Sequence, residues 1–433
     1  MAKLMIESDN STRPTEIGPL PADWEVRHLL EICERPQYGF TASASPQSVG
    51  PKFLRITDIT DEGVDWMSVP YCEIDGEEES KYALRSGDIL VARIGATTGK
   101  SYLIHTIPRA IFASYLIRIR TKSRILPNFL SLYMQSSIYW QYIGLTKGGR
   151  LKQGVNIPVL NELPVPLPSL SEQSRIVETM SAVNGAQQLA RETIRLTRDM
   201  KKSMMASLLQ SEFTPSSDEL IVSSSSDIGK IPSHWKIVRI AELFDIQQGK
   251  SLSPSAKAGV SPASFLRTAN VLWGRIDISK LDQMDFTQGE RAALSLQPGD
   301  LLVCEGGDIG RTAMWNGEVE HCYYQNHLHR LRAKNEEIIP KFYMYWMDAA
   351  FNLFGFYTGQ ANRTTIPNLS KGRLLEFKVP LPPMQDQKRI TNELTIIDEK
   401  IAAEESYLDS LNEFYLVTLE SLLTGKIRLL QEP

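Results

Sequence analysis

Cysteine is scarce in this chain and long apolar runs are missing from it. Four cysteines occur in 433 residues, Cys33, Cys72, Cys304 and Cys322, and none forms a Cys-x-x-Cys pair. That argues against a disulfide framework and fits reduced thiols in a cytosol. No stretch approaches the roughly eighteen apolar residues of a membrane span. Met1 to Glu16 is polar, without the apolar centre of a signal peptide. A cytoplasmic protein with no membrane partner is expected. Catalytic signatures are missing too: there is no Asp-Pro-Pro-Tyr or Asn-Pro-Pro-Tyr box, Gly-x-Ser-x-Gly elbow, His-Glu-x-x-His helix or paired-carboxylate nuclease site. The chain reads as one that binds rather than catalyses.

Positive charge is lacking overall, since the net charge is -4, which argues against simple non-specific nucleic-acid binding. The charge is unevenly spread, however. Nine acids and no bases lie between Asp58 and Glu79, whereas Lys81 to Lys152 holds twelve Lys or Arg against the single acid Asp88. Such a block is a local footprint for a polyanion, or else a solvated face.

What the chain does have is a long internal repeat. Val165-Pro-Leu-Pro-Ser-Leu-Ser-Glu-Gln-Ser-Arg-Ile176 is written again as Val379-Pro-Leu-Pro-Pro-Met-Gln-Asp-Gln-Lys-Arg-Ile390. Each copy predicts an extended, proline-fixed arm that enters a helix, with Ser171 and Gln385 as candidate caps. Ile17 to Ile32 returns as Ile228 to Ile246, including Trp24 and Trp235, and Phe53-Leu-Arg55 as Phe265-Leu-Arg267. Leu84-Arg-Ser-Gly-Asp88-Ile-Leu-Val91 returns as Leu296-Gln-Pro-Gly-Asp300-Leu-Leu-Val303, a Gly-Asp turn before a buried strand. Tyr115 to Arg120 answers to His327 to Arg332, and both Pro127 and Pro340 open aromatic-rich helices. A spacing near 210 residues means duplicated domains and excludes a solenoid.

Each copy ends in a run of about forty residues with a 3.5-residue apolar seam. The first runs Ile176, Met180, Val183, Gln187, Ala190, Ile194, Thr197, Lys201, Met204, Leu208. The second runs Ile390, Leu394, Ile397, Ile401, Glu404, Leu408, Leu411, Tyr415, Thr418, Leu422. At about 1.5 Å per residue each makes a rod of about 60 Å, longer than a small domain is wide, so it needs a partner rod. Two antiparallel helices are expected. Gln187, Lys201 and Glu404 interrupt the seam, either fixing register or marking where another protein lies. The expected fold is α+β, with domains at 1–168 and 228–383, long helices at 169–212 and 384–433, and a Ser-rich linker at 213–227.

Two motifs point elsewhere and fail. Gly95-Ala-Thr-Thr-Gly99-Lys100-Ser101 is one residue short of a P-loop and runs into a predicted strand, not a helix. A turn whose Lys reaches a phosphate backbone is the better reading. His321-Cys322 and His327-x-His329 are not shared by the copies, so no zinc site is expected.

The copies differ where polar Gly-containing loops precede a shared Ile-Pro, at Thr146 to Pro158 and Tyr357 to Pro367. Arg pairs with guanine, and Asn or Gln with adenine, through two hydrogen bonds each in the major groove. The candidate DNA-binding residues are Arg93, Lys100, Lys147, Arg150, Lys152, Gln153 and Asn156 in the first copy. In the second they are Lys250, Arg311, Gln360, Asn362 and Arg363.

Two variable domains, the Ile-Gly-x-x-Pro-x-x-Trp openings, the Val-Pro-Leu-Pro arms and the Glu172-Gln173-Ser-Arg175-Ile176 helix start together resemble the DNA-specificity subunit of type I restriction-modification systems. Asp386 departs slightly from that pattern, and Ser421-Leu-Leu-Thr-Gly-Lys-Ile427 looks like the family's usual second-helix ending. The likeness covers nearly the whole chain. It implies two target-recognition domains held apart by antiparallel helices, each reading one half of a split site on double-stranded DNA. It further implies two methyltransferase subunits bringing S-adenosylmethionine, and two motor-nuclease subunits bringing ATP and Mg. The chain itself would hold no cofactor, no metal and no catalytic residue. The competing expectations are a two-domain protein-binding scaffold and an enzyme using the Gly95 loop.

Overall fold

A computed structural model of the chain describes residues 11–60, 63–146, 154–210, 228–229, 231–253, 261–355 and 368–429. The expected Ser-rich linker lies outside them. The chain forms two compact units. The first is Met1–Arg191 with Tyr407–Pro433, and the second is Glu192–Ser406.

In the first unit β1 (Glu25–His28) pairs antiparallel with β8 (Pro164–Leu167), the arm that feeds the first long helix. Between them lie β2 (Gln37–Tyr38), β3 (Lys52–Leu54), β4 (Ile89–Ala92), β5 (Ser101–Leu103), β6 (Ala110–Phe112) and β7 (Leu116–Ile119). β2, β7, β4 and β5 make one antiparallel sheet in that order, while β3 and β6 run parallel.

The second unit repeats this topology. β9 (Lys236–Arg239) pairs with β17 (Lys378–Leu381), and β10 (Phe244–Gln248), β16 (Leu328–Ala333), β13 (Leu301–Cys304) and β14 (Thr312–Met314) form the four-stranded sheet. β11 (Pro262–Leu266) runs parallel to β15 (Tyr323–Tyr324) and adds β12 (Asp282–Asp285) on its other side. The two α+β units are one design written twice.

The repeated residues explain why. Gly87 and Gly299 adopt φ of 90° and 92°, the left-handed turn that glycine enters at least cost. The adjoining Asp88 accepts from Arg85 N at 2.9 Å and takes both arms of Arg120, while Asp300 does the same with Gln297 N at 2.7 Å and Arg332. Each carboxylate thereby pins the start of a fully buried central strand, Ile89-Leu-Val91 or Leu301-Leu-Val303. Gly39 and Gly249 sit where a Cβ would lie 2.3 Å from the carbonyl oxygen of Ala113 or Gln325, so any side chain would push the sheet edge apart. The Pro-opened helices Pro127–Tyr133 and Pro340–Asn352 cover the sheets. The second buries Phe342 through Met347 without a gap, as a helix enclosed on all sides must.

Both long helices have forty residues, Leu170–Leu209 and Met384–Leu423. None of the seam positions is exposed. In the first unit Gln187 Nε2 donates to Asn412 Oδ1 at 3.0 Å and Arg175 Nε to the Leu429 carbonyl. In the second, Arg198 meets Glu405 and Lys201 meets Asp398 at 2.6 Å. Rising numbers on one helix face falling numbers on the other, so the helices are antiparallel within each unit. The polar seam residues Gln187 and Lys201 are answered inside the chain and hold register. Ser171 is no cap, because the helix already begins at Leu170, and the Ser169 hydroxyl accepts the Glu172 amide at 3.2 Å. Gln385 lies likewise inside its helix, after the two prolines that deliver the chain.

Candidate nucleic-acid interface

Each unit carries a Gly-rich hairpin at one end of its central strand. In the first, Ala92 N donates to Lys100 O at 2.9 Å and Gly99 N to Ala92 O at 2.8 Å, closing a turn in which Gly95 and Gly99 have φ of 83° and 93°. β5 follows directly, so no helix N-terminus is there to cradle a phosphate and the P-loop geometry is absent. In the second unit Cys304 N donates to Arg311 O at 2.9 Å and Gly310 N to Cys304 O at 3.0 Å, the same turn. Lys100 and Arg311 therefore occupy one frame position. A shallow recess beside the first turn is lined by Ala92, Thr97, Lys100, Ser101 and Tyr102.

Arg93 leaves the sheet just before this turn. Its guanidinium lies 4.5 Å over the ring of Tyr38, its Nη1 reaches the Ser114 carbonyl at 3.5 Å, and its buried Nε has no hydrogen-bond partner among the described residues. Gly154 passes so close that a Cβ there would stand 1.9 Å from the Arg93 carbonyl oxygen. Ile157 N then donates to the Tyr38 hydroxyl at 3.2 Å, and Asn156 Oδ1 caps the helix Ile157–Asn161 by accepting from Val159 N at 3.0 Å. Arg93, Lys100 and Asn156 are thus gathered at one end of the sheet. Lys147, Arg150, Lys152 and Gln153 lie outside the described residues, as do Gln360, Asn362 and Arg363.

The second unit treats its candidates differently. Lys250 Nζ is held by Glu290 Oε2 at 2.6 Å and by the Asp285 carbonyl at 2.9 Å, and its charge stands 5.3 Å from the Phe286 ring. The Lys250 hydrogen bond holds the Glu290 carboxyl below its usual range. Arg311 donates to the Thr268 carbonyl at 2.9 Å, and its buried Nε has no hydrogen-bond partner among the described residues.

Sequence reasoning missed five residues at this end of the units. Where the first unit has Tyr38, Arg93 and Tyr115, the second has Gln248, Glu305 and His327. Arg93 N donates to Tyr115 O at 3.0 Å, and Glu305 N to His327 O at 2.9 Å, which fixes the correspondence. Superimposing Tyr38-Gly39 on Gln248-Gly249 would have found it.

Several charges in the basic block belong to the frame. Arg118 donates to the Ala83 carbonyl, Arg120 clamps Asp88, and Arg109 pairs with Glu79. Burial, with Arg120 beside it, pushes the Arg118 guanidinium down to about 10. His327 lies in the turn before β16 and is exposed, whereas His329 lies inside the strand and is fully buried. The two do not face one way. Among the described residues no group of three His, Cys, Asp or Glu could hold a metal, and no helix is long and apolar enough to cross a membrane.

Residues 21–196 and 232–413 match the type I restriction modification DNA specificity domain, once per unit. The chain belongs to that family. Among its relatives is a Methanocaldococcus jannaschii protein named for a type I restriction enzyme specificity subunit, MjaX, 27% identical over 98% of both chains. The MjaVIII specificity subunit of the same organism is 26% identical over 80% of each chain. Among solved structures, a chain from work on complex assembly and conformational transition of the type I R-M system is 20% identical with a TM-score of 0.59. It covers 94% of this chain and 99% of that one. The S subunit of a type I system from M. genitalium gives a TM-score of 0.50 at 14% identity, with 92% and 96% covered. These two likenesses show the fold.

Proposed function

We propose that each unit reads one half of a two-part site on double-stranded DNA and that the long helices dock methyltransferase subunits. The carrying observation is a duplicated frame with different chemistry at corresponding ends: Arg93, Lys100 and Tyr38 in one unit, Glu305, Arg311 and Gln248 in the other. Phosphate contacts position such a protein, and base-edge contacts specify sequence. Arg93, Lys100, Asn156 and Arg311 serve as contacts from the described ends, joined by Lys147, Arg150, Lys152, Gln153, Gln360, Asn362 and Arg363. Lys250, already paired with Glu290, is the weakest of the set.

Docking is supported by apolar side chains that the helices leave in solvent. Leu189, Tyr407, Phe414, Leu416 and Val417 are exposed in the first unit, and Leu196, Met200 and Ile396 in the second. Patches of this kind mark protein contacts. S-adenosylmethionine belongs to the methyltransferase subunits, ATP and Mg to motor-nuclease subunits, and this chain supplies no catalytic group.

Genome-wide methylation mapping tests the reading in cells carrying this chain and its methyltransferase partner. A two-part motif with an unread gap should be present and should vanish when this chain alone is deleted. Unchanged methylation after deletion would favour a scaffold that binds protein only.

A further inference from the structure

The corresponding ends of the two units have opposite hydrogen-bonding polarity. In the first, Arg93 presents donors only, its guanidinium carbon 4.5 Å over the Tyr38 ring. In the second, Glu305 presents acceptors only. Its side chain is 11% exposed, and both of its close side-chain contacts fall on Oε2: His327 Nδ1 at 3.3 Å and Gln248 Nε2 at 3.5 Å. Among the described residues Oε1 has no hydrogen-bond partner. Gln248 gives another proton to the Asn326 carbonyl at 2.9 Å, so its amide oxygen is what it has left to offer. The backbone around the carboxylate is fixed from two sides, by Glu305 N on His327 O and by Leu369 N on Glu305 O at 2.7 Å.

An acid at a surface facing DNA is repelled by phosphate and is compensated only by a donor. The donors on base edges in the major groove are the exocyclic amino groups of cytosine and adenine. We propose that Glu305, steadied by His327 and Gln248, is the position at which the second unit reads such an amino group, cytosine N4 or adenine N6. The inference rests on the DNA-reading proposal above and names the chemistry of one base within it. The corresponding base in the first half-site meets Arg93 and should carry acceptors, as guanine does at O6 and N7.

The test maps methylation motifs in cells expressing the full complex with wild-type chain, Glu305→Gln, His327→Ala or Arg93→Gln. Glu305→Gln should relax a single C or A position in one half-motif, by about 10- to 100-fold in discrimination, and leave the other half-motif intact. Arg93→Gln should act on the opposite half. An unchanged motif in Glu305→Gln, or the same half altered by both variants, overturns the inference while the DNA-reading proposal stands. If Glu305→Gln abolishes all methylation, the exposed His327→Ala decides. Relaxation at one C or A supports the inference, and an unaltered motif overturns it. Failure of the wild-type chain to give any two-part motif would overturn the DNA-reading proposal itself.

Discussion

The residue just before each repeated tryptophan separates the two units. It is Asp23 in the first and His234 in the second. Both tryptophans do the same work, Trp24 Nε1 donating to Glu172 at 3.1 Å and Trp235 Nε1 to Asp386 at 3.0 Å. In the second unit His234 also meets Asp386, at 2.9 Å, so that carboxylate is answered by the residue beside the tryptophan. In the first, Asp23 adds a second acid, and the missing cation comes from Arg428. That guanidinium binds Glu172 at 2.6 and 2.9 Å and Asp23 at 2.9 and 3.0 Å. Gly425, at φ 67° and packed so that a Cβ would lie 2.3 Å from Pro21, lets the chain turn to deliver it. A duplicated frame therefore leaves one charge position free to vary, provided the neutralising partner is found elsewhere in the sequence.

Removing that partner should give the largest effect. Arg428 and Glu172 are 5% and 3% exposed, and Arg428→Ala strands a buried carboxylate. The expected cost is about 3 to 5 kcal/mol, confined to the first unit and measured by urea denaturation with hydrogen exchange resolved by unit. Equal loss of protection in both units would break the comparison. Next come the two repeated glutamines. Gln173 accepts from Leu126 N and donates to the Arg124 and Pro168 carbonyls, and Gln387 makes the same three bonds to Ile339 N, Glu337 and Pro382. Gln173→Ala and Gln387→Ala should each cost about 1 to 3 kcal/mol, with unequal values showing that the frames are not equivalent.

A smaller effect is pH-dependent. Although burial alone would raise the Asp386 carboxyl, hydrogen bonds from His234 and Trp235 hold it below the usual aspartate value of 3.8. Its folded-state value is the depressed one, so its contribution is present above about 3.8 and lost as pH falls through the lower folded value. Asp386→Asn should flatten the acid limb of second-unit stability below that pH, and an unaltered limb would remove Asp386 from the account. Smallest of all, His234→Ala should cost less than about 1 kcal/mol, because His234 is 55% exposed. A loss as large as that of Arg428→Ala would erase the distinction.

Much of this architecture was legible in the sequence. The 3.5-residue seam from Ile176 to Leu208 and from Ile390 to Leu422 matches the faces that the helices cover, because burial repeats with the helix turn. The Gly87-Asp88 and Gly299-Asp300 turns were readable because their chemistry is local. What could not be read depends on residues far apart along the chain. Nothing near Lys250 announces Glu290, and Arg428 lies 256 positions from Glu172. The candidate interface was half legible for the same reason. Arg93 and Lys100 stood out as bases beside glycines, whereas nothing near Glu305 in the sequence marks it, and only its backbone bond to His327 gives it the place that Arg93 holds in the first unit.

The second unit is one unbroken stretch of chain, Glu192–Ser406, but the first is completed by Tyr407–Pro433. Synthesis therefore reverses the order in the sequence: the unit begun first is finished last. A truncated chain ending before Gly425 should still protect its second unit from protease, while Asp23 and Glu172 remain without Arg428.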